Sequence, residues 1–200
     1  PTHHGVFDIS FLRFIPNLTY MAPKDEDELQ HMLHTAVSLP GPTAVRYPRG
    51  SGENVAMGQN LQILETGKGE VLREGKDILL LPVGNRVYPA LRAAAGLEKL
   101  GIEATVINPR FIKPLDKKLI CHWAEKTGRV LTVEDNVLHG GFGSLVLELL
   151  SETKLYKVKT TLLGHPDHFI EHGPQEILWK NSHLDSPSII SAAMELMKEE

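Results

Sequence analysis

The sequence predicts an α/β fold: the end of one small domain, followed by a doubly wound, mostly parallel sheet. Three observations carry this. Short apolar or β-branched runs alternate with stretches of helical period along nearly the whole chain. The run Ile78–Val83 is apolar at every position, as in a strand covered by helices on both faces. No internal repeat or low-complexity tract competes with that reading.

The first unit runs from Pro1 to about Arg49. Its opening residues, Pro1-Thr2-His3-His4-Gly5-Val6-Phe7-Asp8, show no periodicity worth burying and are expected to be irregular. They lack a start methionine, so the chain reads as a piece of something larger, cut close to a working site. Leu18–Met21 predicts a short strand closed by Pro23. Asp25 caps the next helix, with Glu28 at capping-box spacing. Leu29, Met32, Leu33, Ala36 and Val37 fall on one helical stripe. Pro40-Gly41-Pro42 stops that helix, and Thr43–Tyr47 predicts a second strand. Strand, helix and strand form the kernel of a parallel sheet.

Gly50–Asn60 is rich in Gly, Ser, Asn and Gln and reads as a linker. The boundary is therefore set at residues 1–60 and 61–200. Gly69–Arg73 suggests an edge strand. Gly84 turns Ile78–Val83 into a helix with Pro89 in its first turn and Gly101 as its stop. Ala104–Asn108 is the next strand, and Asp116 opens the next helix. Val130–Val133, a helix over Ser144–Leu150, and a strand over Val158–Leu163 follow. The last helix starts near Pro187, capped by Ser186 or Asp185, with Ile189, Ile190, Ala193, Leu196 and Met197 mostly on one side.

Composition narrows the function. The net charge of −4, without any lysine/arginine cluster, argues against nucleic acid. No apolar run approaches the ~20 residues of a membrane span. The single cysteine, Cys121, excludes an internal disulfide and suits a reducing compartment. Cytoplasmic placement is the expectation, or a plastid in a eukaryote.

Several groups could carry chemistry. His3 and His4 are either a solvated pair or proton-exchanging groups beside a glycine that admits a ligand. No third ligand stands near them, so a metal is not expected there. Arg46 and Arg49 sit at the carboxyl end of a strand, where α/β sheets bind ligands. They either grip a phosphate or carboxylate, or form surface salt bridges; spacing leaves both open. Gly140-Gly141-Phe142-Gly143-Ser144 opens a helix after a strand. It is read as a tight turn before a phosphate cradle, because Val146 stands where the dinucleotide fingerprint needs glycine. Glu134-Asp135 reads as a structural pair. His165, His168 and His172 surround Asp167 in a stretch read as a surface loop rather than a zinc site. Cys121 reads as a small half-buried residue.

Taken together, these motifs resemble the 1-deoxy-D-xylulose 5-phosphate synthases, thiamine-diphosphate enzymes built like transketolase. The matching residues are Pro1-Thr2-His3-His4-Gly5 with Asp8, Leu12-Arg13, Met21-Ala22-Pro23-Lys24-Asp25 and Arg46-Tyr47-Pro48-Arg49-Gly50. Phe111-Ile112-Lys113-Pro114-Leu115-Asp116, Val133-Glu134-Asp135-Asn136, Gly140-Gly141-Phe142-Gly143-Ser144 and Pro166-Asp167-His168-Phe169-Ile170 continue the match in order. The resemblance implies that residues 1 to about 60 end a pyrimidine-binding domain and that the rest is a transketolase-like C-terminal domain. It implies condensation of pyruvate with D-glyceraldehyde 3-phosphate, releasing carbon dioxide, with the cofactor as electron sink. His3 matches the family's active-site histidine and Arg49 the arginine that holds the acceptor's phosphate. His4 stands where the family also allows glutamine. Thiamine diphosphate and Mg2+ would be held mainly by an N-terminal part absent from this chain, so the chain alone is expected to be inactive, and a homodimer is expected. Transketolase, the β subunit of a 2-oxoacid dehydrogenase, and a non-catalytic dimerisation or regulatory module are the alternatives.

Overall fold

The computed structural model describes residues 4–199. The sequence led to the expectation of irregular opening residues, but a helix begins at Asp8. Asp8–Leu12 forms a five-residue helix, α1, that buries Ile9. Strand β1 (Thr19–Met21) follows, then α2 (Glu26–Ser38) and β2 (Thr43–Val45), with β1 and β2 parallel as predicted. The Asp25 carboxylate caps α2 by accepting the N–H of Glu28 at 2.8 Å. Glu28 reaches one residue further than a capping box, to the N–H of Lys24 at 2.7 Å. It is buried, and Asn108 and Arg110 hold its carboxylate. The predicted apolar stripe of α2 is only partly covered. Met32 is buried, whereas Leu33 and Val37 are exposed.

The linker is a strap lying along α2. Backbone N–H groups of Glu53 and Val55 donate to Glu26, that of Gly58 to Asp27, and that of Leu64 to Thr35.

The second unit adds β3 (Glu70–Arg73), β4 (Ile78–Pro82), a short 3₁₀ turn at Gly84–Arg86, α3 (Val87–Glu98), β5 (Ala104–Asn108) and β6 (Phe111–Lys113). Then come α4 (Lys117–Thr127), β7 (Arg129–Val137), α5 (Phe142–Glu152), β8 (Lys159–His165), α6 (Gln175–Asn181) and α7 (Ser186–Lys198). Its sheet has the order β3-β5-β4-β7-β8. Only the edge strand β3 is antiparallel. Alternation along β4 separates two cores, as the two-residue period of a strand requires. Leu79 and Leu81 face α4 and α5, while Ile78 and Leu80 face α3 and α7. Asp116 and Asp185 cap α4 and α7, and Gly128 ends α4 in the left-handed region at φ 66°.

The two units interlock. The unpredicted strand β6 pairs antiparallel with β1, giving the small sheet the order β2-β1-β6. Ile9, Leu18 and Tyr20 join the core under α4 and α5. Burying each such side chain contributes roughly 1.5–3 kcal/mol, so the first unit is fastened by the second. Among the described residues, no helix is long and apolar enough to cross a membrane.

Candidate functional site

The carboxyl ends of β2, β4, β7 and β8 converge on a cleft of about 540 Å3. Its walls come from His4-Gly5-Val6, Arg46–Arg49, Asn85, Asp135, His165 and the stretch Ile170–Trp179.

The N-terminal segment is held against β7 by backbone chemistry. The N–H of Val137 donates to Val6 at 2.7 Å, and Asn136 Oδ1 accepts the N–H of Ile9 at 3.1 Å. Arg13 adds a forked pair with Glu148 at 2.7 and 2.8 Å and a bond to the Gly140 carbonyl. Arg46 completes the fastening. Its Nε donates to Asp8 at 2.7 Å, and its Nη2 to the carbonyls of Gly5 and Asp135 at 3.2 and 3.0 Å. Tyr20 donates to the same Asp8 carboxylate. Burial works against the Arg46 charge, but Asp8, Tyr20 and Asp135 outweigh it and raise the guanidinium pKa above its ordinary value.

The two arginines therefore differ. Arg46 is consumed by structure. Arg49 is exposed, lines the cleft, and makes no hydrogen bond or ion pair among the described residues. His4 packs edge-on against Phe169 with centroids 5.5 Å apart, as does Phe7 at 5.6 Å. His3 lies outside the described residues.

The glycine-rich turn opening α5 is filled from within. Glu134, fully buried, accepts the N–H groups of Phe142 and Gly143 at 2.7 and 2.8 Å. A side chain at Gly141 would meet Glu134 and stand 2.7 Å from the Val137 carbonyl, so close packing explains the glycine. Burial pushes the Glu134 pKa up to about 7 against those two N–H bonds.

Asp135, next along the strand, faces the cleft. Its Oδ1 pairs with His165 Nε2 at 2.7 Å, and its Oδ2 accepts from Asn85 at 2.9 Å and Trp179 Nε1 at 3.0 Å. Burial alone would raise its pKa. The His165 and Asn85 bonds and the charges of Arg86 and Arg46 overcome this and hold it well below the usual carboxylate range. His165 Nδ1 pairs with Ser182 Oγ at 2.9 Å. The expected surface cluster of histidines is thus divided. His165 ends β8 and is 2% exposed, while His168 and His172 are exposed on the following loop. The Asp135–His165 pair gave no local signal, because it joins neighbouring strand ends 30 residues apart. Cys121 is half-buried, as expected.

The matches to known proteins fit this architecture. The family model of the transketolase C-terminal domain covers residues 67–189, and that of the transketolase pyrimidine-binding domain covers residues 1–54. The chain belongs to the transketolase family.

Within that family its relatives are specific. It is 66% identical over 203 residues to 1-deoxy-D-xylulose-5-phosphate synthase of Desulfotalea psychrophila, covering 100% of this chain and 32% of that protein. It is 58% identical to the same enzyme of Desulforudis audaxviator, over 96% of this chain and 30% of that protein. A solved split-gene transketolase, described as an inactive β4 tetramer, superposes with a TM-score of 0.83 at 29% identity, over 98% of this chain and 62% of that one. The motif resemblance therefore extends over the whole chain, which spans about a third of the length of the curated relatives it matches.

The family implies thiamine diphosphate, and the glycine-rich turn does not fit its diphosphate. The amides that open α5 already serve Glu134. Among the described residues, no group of three His, Cys, Asp or Glu could share a metal ion.

Proposed function

We propose that this chain is the C-terminal part of a thiamine-diphosphate-dependent transferase that condenses pyruvate with D-glyceraldehyde 3-phosphate to 1-deoxy-D-xylulose 5-phosphate and carbon dioxide, a precursor for isoprenoids. Residues 1–60 end its pyrimidine-binding domain, and residues 61–200 form its C-terminal domain. Thiamine diphosphate and Mg2+ are held mainly by parts of the longer protein absent from this chain. The enzyme works as a homodimer in the cytoplasm.

The observation that carries this reading is Arg49. The residue is exposed on the wall of the cleft that His4 and Gly5 also line, at the sheet end where α/β folds take ligands. A planar, permanently charged fork with no protein partner among the described residues suits a phosphate group. His3, one residue before this wall, would hold or pass a proton at the reacting oxygens. The split-gene transketolase supports the expectation for the isolated chain, since that protein is described as an inactive tetramer.

The test is an assay of this 200-residue chain beside the longer protein, with both substrates, thiamine diphosphate and magnesium. The longer protein should form deoxyxylulose phosphate and the chain alone should not. Turnover by the chain at roughly 1 per second or more, within the ordinary enzyme range, would contradict the division of labour. No product from the longer protein would contradict the assigned reaction.

A further inference from the structure

The wall of the cleft facing the N-terminal segment is thinly supported. Helix α6 has seven residues and buries none of them. The loop from Pro166 to Pro174 has no regular structure. Together they supply Ile170, Gly173, Gln175, Leu178 and Trp179 to the cleft. Trp179 alone of these packs against the core between the sheet, α3 and α7, so the position of the wall depends on how that one side chain is held.

The peg is the Asp135 carboxylate. It gathers donors from three elements: Asn85 after β4, His165 at the end of β8, and Trp179 on α6. His165 extends the connection to Ser182 at the end of α6. The Trp179 ring is also covered by Arg86, 3.7 Å from its centroid. Asp135 itself stands on the long strand β7, which is held between β4 and β8. Its main-chain oxygen accepts Arg46, three residues before Arg49. One residue thus touches both the wall carrying Arg49 and the wall opposite.

We propose that Asp135 is a positioning residue for the phosphorylated substrate: by fastening α6 and the end of β8 to β7, it sets the width of the cleft into which Arg49 opens. This rests on the reading of Arg49 as the phosphate anchor.

The experiment uses the complete enzyme. Asp135→Ala should raise KM for glyceraldehyde 3-phosphate about tenfold, below the ~100-fold that a 1 Å misplacement can cost. KM for pyruvate should stay unchanged. Asp135→Asn keeps the shape. Its oxygen still accepts from Trp179 and Asn85, and its amide donates to His165 Nε2 once the ring proton sits on Nδ1 facing Ser182. That variant should restore the wild-type KM. Trp179 emission, taken as the difference between each variant and the same variant carrying Trp179→Phe, should shift to the red in Asp135→Ala and not in Asp135→Asn. An unchanged KM for the phosphorylated aldehyde in Asp135→Ala, or an equal rise for both substrates, would overturn the proposal. So would an Asn variant as impaired as the Ala one, which would assign the effect to charge. Arg49→Ala separates the two ideas. If it spares the preference for the phosphorylated aldehyde, the Arg49 reading falls. If it abolishes that preference while Asp135→Ala leaves KM alone, only the present proposal falls.

Discussion

Two stretches of this chain look equally ready to hold an anion, and only one of them is open. Gly140–Ser144 presents backbone N–H groups at the start of α5, yet Glu134 already occupies two of them from inside the protein. Arg46–Gly50 carries two guanidinium groups. One is consumed by Asp8 and the Gly5 and Asp135 carbonyls, and the other stands free of protein partners among the described residues. The difference shows that donors count as a binding site only when the fold has not already satisfied them. Neighbours on one strand divide the same way: Glu134 points into the core and Asp135 into the cleft, as alternation along β7 requires.

The comparison can be sharpened by substitutions in the complete enzyme. The largest effect is expected at the N-terminal edge of the open site. His3→Ala should lower kcat by about a hundredfold or more, the contribution of a positioned acid/base group, whereas His4→Gln should be mild. Steady-state kinetics of both variants decides this. A more damaging His4→Gln would reverse the assignment.

The filled site should answer in stability. Glu134→Gln places an amide where the turn needs an acceptor, leaving one buried N–H unpaired. The expected loss is about 1–3 kcal/mol, read by chemical denaturation of this chain, with little effect on substrate discrimination. An unchanged stability would mean that the turn does not depend on its internal carboxylate.

A smaller, pH-dependent effect separates the two neighbours. The folded pKa of Glu134 is about 7 against an ordinary 4.5. The fold therefore binds this proton more tightly than the unfolded chain, and its stabilisation is fully present below 4.5 and lost as pH rises through 7. Asp135 is lowered from 3.8, so its stabilisation is present above that value and lost in acid. Of these two neighbours, only Glu134 contributes a slope between pH 5 and 8. The melting temperature of wild type relative to Glu134→Gln should fall across that range. A difference that stays constant or widens would contradict the raised pKa.

Local signals made much of the fold legible. Caps at Asp25, Asp116 and Asp185 act on amides three residues away. The strand Ala104–Asn108 needs only a covered apolar run. What escaped depends on distant partners. Strand β6 has three residues and exists because Tyr20, some ninety positions earlier, pairs with Lys113. Helix α1 has no side-chain cap and one buried residue, and α6 has no buried residue at all. Leu33 and Val37 fit the helical period of α2, but no described element covers them. Arg49 was legible as one of a pair. Which of the two is open depended on Asp8 and on the Gly5 and Asp135 carbonyls, which only the fold brings to Arg46.

The central claim is that Arg49 is the open half of that pair and holds a phosphate. The direct measurement is kcat/KM for glyceraldehyde 3-phosphate beside that for unphosphorylated glyceraldehyde, in the complete wild-type enzyme and in Arg49→Ala. A charge-assisted contact contributes about 1.5–3 kcal/mol per bond, or roughly 10- to 100-fold at 1.4 kcal/mol per tenfold. The account predicts a loss of that size for the phosphorylated aldehyde and almost none for the other, at an unchanged melting temperature. Equal losses for both aldehydes, or a loss that follows a lowered melting temperature, would show that Arg49 holds the fold and not the substrate.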